Sequence, residues 1–147
     1  MAFVLDASMT MAWCFRDERT KESEAVGIAL SRRERAVVPA VWSVEVCNAT
    51  LRGLRRNRVT AAEVFSFFRA LDRFPIAQSA PLERAELLHL LDRARTHELS
   101  AYDASYLDLA LHMGLPLATL DARLRQAAGQ AGVPLFSGVE GDDVSNP

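Results

Sequence analysis

At 147 residues the chain is long enough for one domain that buries roughly 70% of the surface its unfolded form would expose. Half of its residues are hydrophobic and 24% are charged, with 7 Gly and 6 Pro, which excludes wholesale disorder; no run approaches the ~20 apolar residues of a membrane span. A formal net charge of -2 excludes nucleic-acid binding through bulk positive charge and leaves only local basic patches for that purpose.

The first apolar run, Phe3-Val4-Leu5, predicts a buried parallel strand, with Asp6 at its carboxyl end. That acid also interrupts the run before it could form the core of a signal peptide, so the expected location is cytoplasmic. Ser8 is placed to cap a helix from Met9 to Phe15, and a second helix is expected from Lys21 to Ser31, with Ala25, Val26, Ala29 and Leu30 inward. Ala36-Val37-Val38 is the next strand, stopped by Pro39. A helix follows from Val41 to Asn57, with Val41, Val44, Leu51 and Leu54 as its apolar positions and Glu45 and Asn48 sharing a face.

Thr60 with Glu63 forms a capping box for a helix through Leu71, and Ile76-Ala77-Gln78 reads as a short edge strand. Pro81 suits the first residue of a helix reaching Thr96, with Leu87, Leu88, Leu90 and Leu91 as its core face. From Leu99 to Met113 the positions Ala104, Leu107, Ala110 and Leu111 make an apolar stripe, with Ser100 and Asp103 at capping-box spacing. Gly114 ends that helix and Pro116 prevents its continuation. Leu117 to Leu120 is then a strand, Asp121 caps a helix from Ala122 to Ala131, and Val133 to Phe136 is a last edge strand. Residues 1–136 make one domain and 137–147 a polar, mobile tail. Cys14 and Cys47 lack any zinc or redox spacing and read as buried free thiols.

Alternating strands and helices imply an α/β domain with a central parallel sheet of four to five strands between layers of helices. Such sheets place their sites beyond the carboxyl ends of the strands. Asp6 and Asp121 each follow a strand, and Glu45 lies in the helix leaving another. Asp103 starts a helix that runs antiparallel to the Leu117 strand, so all four acids are expected at one end. Two carboxylates about 5 Å apart repel by roughly 3 kcal/mol at an effective dielectric constant of ~20. No lysine stands near any of them, and Arg123 and Arg125 are expected to point outward along their helix. A hard divalent cation is the preferred compensation. Taken singly, Asp121 reads as a helix cap, Asp103 as a capping-box member, Asp6 as a turn residue and Glu45 as a solvated helix residue.

Four segments carry a resemblance: V-L-D6-A-S, P-A-V-W-S-V-E45-V-C-N48, L-S-A-Y-D103-A-S-Y-L-D-L-A and L-A-T119-L-D121-A-R-L. In this order, across Phe3 to about Phe136, the chain resembles the PIN-domain ribonucleases, specifically the VapC toxins of VapBC toxin–antitoxin pairs. The resemblance implies an endoribonuclease dependent on Mg²⁺ or Mn²⁺, with Asp6, Glu45, Asp103 and Asp121 as its catalytic, metal-holding quartet. Asp121 would act through a second metal or a water. Ser8, Asn48 and Thr119 match polar positions that orient ligands or a water. It further implies a homodimer, and an antitoxin whose C-terminal segment enters the site and supplies an Arg.

Around Arg52 to Arg58 four of seven residues are arginine; Arg52, Arg55 and Arg56, with Arg16, are candidates to hold an RNA backbone, and Trp13 or Trp42 to stack on a base. Both tryptophans also suit a core, and the arginines also suit a solvated helix end. His89, His97 and His112 have no metal spacing. A phosphoaspartyl enzyme is disfavoured, because Ser8 stands where a second Asp would be needed and Lys21 is the single lysine. The alternative is a degenerate PIN module that binds RNA or a protein partner without cutting.

Overall fold

The computed structural model describes residues 2–138. In chain order it contains β1 (Ala2–Leu5), α1 (Ala7–Met11), α2 (Lys21–Ser31), β2 (Arg35–Val38), α3 (Val41–Arg55), α4 (Ala61–Leu71), β3 (Ile76–Gln78), α5 (Leu87–Thr96), α6 (Ala101–Met113), β4 (Leu117–Ala118) and α7 (Ala122–Ala131). Short 3-10 turns lie at Arg16–Glu18 and Arg84–Glu86. All pairings are parallel and the sheet order is β3-β2-β1-β4, so the α/β class and the central parallel sheet are as expected, with four strands and seven α-helices among the described residues.

β1 is buried on both faces, as its unbroken apolar run requires. Phe3 and Leu5 belong to the core that holds Val26 and Leu30 of α2, while Val4 belongs to the core that holds Leu107 of α6 and Leu124 of α7. The chain steps outward from β1 to β2 and β3, then returns to add β4 on the other side. The carboxyl ends of β1 and β4 therefore flank the point where strand order reverses, the place where open α/β sheets bind ligands.

Local signals hold where backbone chemistry decides. Thr60 and Glu63 form the full capping box, Gly114 ends α6 and Gly132 ends α7 in the left-handed conformation, and the Ala104, Leu107 and Ala110 stripe is buried. Other expectations fail. α1 starts at Ala7 with Asp6 in the cap position, so Ser8 is no cap; its hydroxyl is used elsewhere. The helix expected from Pro81 starts only at Leu87, after the 3-10 turn.

The expected core face of α5 is open, and the apolar positions of α3 divide, with Val41 and Leu54 packed against the core. Val44 and Leu51 of α3 are exposed, and its buried residues are Val46, Thr50 and Gly53; Phe15 comes so close to Gly53 that a side chain there would collide with its ring. On α5 only Ala94 is buried, and Leu88 is 79% exposed. The last segment is not a strand: Leu135 makes a single bridge to Leu117, supported by Leu117 N–H on Pro134 O and Phe136 N–H on Leu117 O. Cys14 is buried but Cys47 is exposed. Of the expected tail, residues 139–147 lie outside the described residues. No described helix is long and apolar enough to cross a membrane.

Candidate active site

Asp6 is the centre. Its backbone N–H continues the β1–β4 ladder onto Ala118 O (3.0 Å), and its carbonyl accepts from Thr10 N–H at the start of α1. The side chain is 3% exposed and makes no bond to the helix it precedes. Instead Ser8 Oγ (2.5 Å) and Thr119 Oγ1 (2.7 Å) both donate to Oδ2. Each hydroxyl has one proton, so both are committed to Asp6, and the 3.2 Å approach between Ser8 Oγ and Thr119 Oγ1 adds no further donation. The same oxygens accept from Leu120 N–H and Asp121 N–H, both at 3.0 Å. Ser8 and Thr119 thereby lock the β4–α7 turn onto the end of β1. Asp6 Oδ1 receives no hydrogen bond from the described residues.

Asp121 caps α7, accepting Leu124 N–H through Oδ1 (2.9 Å). Ser100 caps α6 by accepting Asp103 N–H (3.1 Å), but the reciprocal bond from Ser100 N–H to the Asp103 carboxylate is not made. Capping thus explains Asp121 in part and leaves the Asp103 carboxylate to other uses. Glu45 lies half-buried in α3, where the fully buried Tyr106 donates its hydroxyl to Oε1 at 2.7 Å. Tyr106 had no assigned role in the sequence. Its signal was its position three residues after Asp103, which puts both on one side of α6.

Burial first of all raises Asp6 to a pKa of about 6; the two hydroxyl donors oppose the rise and the charges of Asp103 and Asp121 add to it. Burial likewise pushes Glu45 up, opposed by Tyr106 and aided by Asp6 and Asp103. Asp103 is raised by burial and by Asp121, against the Ser100 hydroxyl and the charge of Arg123. The four acids therefore form one electrostatic unit. The Tyr106 phenol is pushed far up by burial and by Asp6 and Glu45, so it stays a donor.

One expectation about arginine orientation needs correction. Arg125 does not point outward: Nη1 donates to both Glu22 oxygens (3.0 and 3.1 Å) and to Thr119 O (2.9 Å), bracing the turn that carries Asp121. Arg123 is exposed, yet its charge reaches Asp103. Of the expected RNA contacts, Arg52 and Arg56 line a cleft of about 360 Å³ together with Ser8 and Glu45. Arg55 does not line it, and Arg16 opens on a different cavity between α2 and α4. Asn48 is exposed on α3, where no hydrogen bond links it to the acids. The indole N–H groups of Trp13 and Trp42 are spent on Ser23 O (2.7 Å) and Thr10 Oγ1 (3.1 Å), which fixes both rings internally.

Two parallel strands ending at a reversal of strand order, with acids after each and on the flanking helices, constitute a fold and a site together. The PIN domain family matches residues 3–130. The chain belongs to that family. The crystal structure of PAE2754 from Pyrobaculum aerophilum is similar, with a TM-score of 0.65 at 25% identity over 86% of this chain and 79% of that one. No curated protein matches the chain. A PIN domain is generally a nuclease module, typically metal-dependent.

The donor set of this PIN domain is all carboxylate and hydroxyl oxygen, which suits Mg²⁺ or Mn²⁺ and not zinc. The open Oδ1 of the nearly buried Asp6 fits the same chemistry. Among the described residues no three such side chains are close enough to hold an ion as they stand, so binding one requires the carboxylates to turn toward each other.

Proposed function

We propose that this PIN domain is a metal-dependent endoribonuclease that hydrolyses RNA phosphodiester bonds, with Asp6, Glu45, Asp103 and Asp121 as its ion-holding acids. The observation that carries the reading is the convergence of four acids that form no ion pair among the described residues at the β1–β4 reversal, one of them nearly buried with an oxygen left open. When bound there, Mg²⁺ or Mn²⁺ lowers the pKa of a water and neutralises charge developing on the scissile phosphate. The chain's own residues supply positioning. Ser8 and Thr119 hold Asp6 by one oxygen, Tyr106 holds Glu45 by one oxygen, and Arg125 fixes the turn beneath Thr119.

The resemblance to VapC toxins makes the partner an antitoxin, and acids without a cationic partner are receptive to an arginine supplied by it. The exposed Leu87, Leu88 and Leu91 of α5, with Val44 and Leu51 of α3, supply apolar surface for a homodimer. The location consistent with this role is the cytoplasm, and the single domain spans residues 1–136. The test is cleavage of a labelled single-stranded RNA pool by partner-free protein, with Mn²⁺ and with chelator, beside Asp103→Asn. Chelator-sensitive cutting absent from the variant is expected. Cutting retained by a folded Asp103→Asn would refute the assignment, and no cutting by a wild type that still binds RNA would favour the non-cleaving PIN module.

A further inference from the structure

Between the end of α5 and α7 lies a further cavity, about 440 Å³, lined mainly by polar side chains that include Arg95, His97, Glu98, Arg123, Gln126 and Gln130. Three arginines elsewhere are committed to carboxylates: Arg58 to Asp17 and Glu18, Arg93 to Asp108, and Arg125 to Glu22. Arg95 and Arg123 have no such partner among the described residues. Arg95 is in the last turn of α5, where the helix dipole favours a cation. Arg123 is in the first turn of α7, beside N–H groups whose partial positive charge disfavours one. Helix stability therefore accounts for Arg95 and not for Arg123, whose charge reaches Asp103.

The cavity is held rather than loose. Leu99 N–H on Ala94 O (2.9 Å) closes the turn after α5, with Glu98 at a φ of 53°, and His97 Nδ1 lies 3.4 Å from Gln130 Oε1 of α7. Glu98 is the single acid in the lining, so two fixed guanidinium charges exceed it. The placement matters as much as the charge. α3 follows β2 and α7 follows β4, while Asp6 follows β1 between them. The Arg52 and Arg56 cleft shares Ser8 and Glu45 with the acids, and Arg123 stands two residues past Asp121 on the β4 side. The acids thus lie between two cationic openings.

We propose that the Arg95–Arg123 cavity is a second phosphate subsite for single-stranded RNA, holding the backbone on the β4 side of the acids while Arg52 and Arg56 hold it on the β2 side. This rests on the nuclease reading and extends it: the strand crosses the acids anchored at both ends, which keeps the scissile phosphate over them. Planar guanidinium groups suit phosphate oxygens, and Gln126 adds a neutral donor.

The test uses the full chain in chelator and a fluorescent single-stranded RNA of roughly a dozen nucleotides, a length within the span of single-strand sites. Affinity is measured against salt for wild type, for Arg95→Gln with Arg123→Gln, for Arg52→Gln with Arg56→Gln, and for a control pair, Arg32→Gln with Arg33→Gln, at the end of α2. The Arg95/Arg123 pair is expected to weaken binding about tenfold and to reduce the slope of log affinity against log salt by about 0.7, the single-strand value for one lost phosphate contact. Unchanged affinity and slope, with the Arg52/Arg56 pair impaired, would overturn the subsite and leave the nuclease reading standing. An equal loss in the control pair would overturn it as well, by showing a general charge effect. A wild type that neither binds RNA in chelator nor cuts it in Mn²⁺ would overturn the nuclease reading itself, and the subsite with it.

Discussion

Asp108 and Asp103 lie on the same helix, five residues apart, in opposite circumstances. Asp108 meets Arg93 at 3.2 Å, as Glu22 meets Arg125 at 3.0 Å, so the acids around the site are neutralised by guanidinium groups. Among the described residues Asp103 has no ion pair, and neither have Asp6, Glu45 or Asp121. The chain does not lack arginines for the purpose, since Arg123 stands close enough to act on Asp103 without pairing with it. Acids kept apart from available cations, while burial raises three of them, hold a charge deficit that stability alone does not explain. On the proposed reading the strand-end cluster takes its cation from outside, whereas the helix-surface acids are paired within the fold.

Removing the charge at Asp6 breaks the comparison most forcefully. With a folded pKa of about 6 against an ordinary value of 3.8, the folded protein binds this proton more tightly than the unfolded chain does. In metal-free protein the resulting stability is fully present below about pH 4 and is lost as pH rises through 6, a decline of up to about 3 kcal/mol by neutral pH. Asp6→Asn is expected to flatten that decline and to raise the denaturation midpoint at neutral pH while abolishing cleavage. A variant that keeps the wild-type pH slope would show that Asp6 is not the origin of the deficit.

Next in size is Thr119→Val, which preserves volume but deletes the donor to Asp6 and the acceptor for Asp121 N–H. A loss of about 2 kcal/mol in urea unfolding is expected, since buried partners are left unsatisfied. A loss under about 0.5 kcal/mol would mean that the turn is held by Arg125 and not by the hydroxyl.

Much of this arrangement was legible in the sequence, for identifiable reasons. Asp6 directly follows β1, and Asp121 follows β4 after a short turn, since that strand ends at Ala118 and not at the expected Leu120, so topology carried both to the same edge. The caps at Thr60, Ser100 and Asp121 and the helix-ending glycines were readable because they act on their own backbone; Ser8 was not, because its hydroxyl goes to Asp6. The leucines of α5 were misassigned because periodicity reports an apolar face without saying what covers it; here that face is open. Val133 to Phe136 has strand composition, but Pro134 has no N–H to offer a ladder, and one bridge is all that forms. Tyr106 and Arg125 were missed for a common reason. Each acts through a partner distant in the chain, Glu45 and Glu22 respectively, and no local spacing encodes such a meeting.

Two smaller effects sharpen the contrast. Tyr106→Phe removes the donor to Glu45 at a cost of about 1 kcal/mol. Because that hydrogen bond holds the Glu45 pKa down, its loss raises it further, and the acidic limb of the pH–rate profile is expected to move to higher pH. An unmoved limb would exclude Glu45 from the reacting set. On the paired side, Arg58→Gln removes contacts to the exposed Asp17 and Glu18 and is expected to leave the denaturation midpoint nearly unchanged, with any loss fading at high salt. A larger loss would have to come from the packing of Arg58 over Phe15, at 4.1 Å from the ring centroid.

The most direct test of the central claim is the thermal midpoint of partner-free protein near neutral pH, in chelator and then in Mn²⁺ at a large excess over its dissociation constant. A cation bound only by the folded state adds about 2.7 kcal/mol at a hundredfold excess, which for a domain of this size raises the midpoint by roughly 5–10 °C. That rise is expected in wild type and is expected to be lost in Asp6→Asn. A midpoint indifferent to Mn²⁺ would contradict the metal reading, because the four acids would then be tolerated without the cation they are arranged to receive.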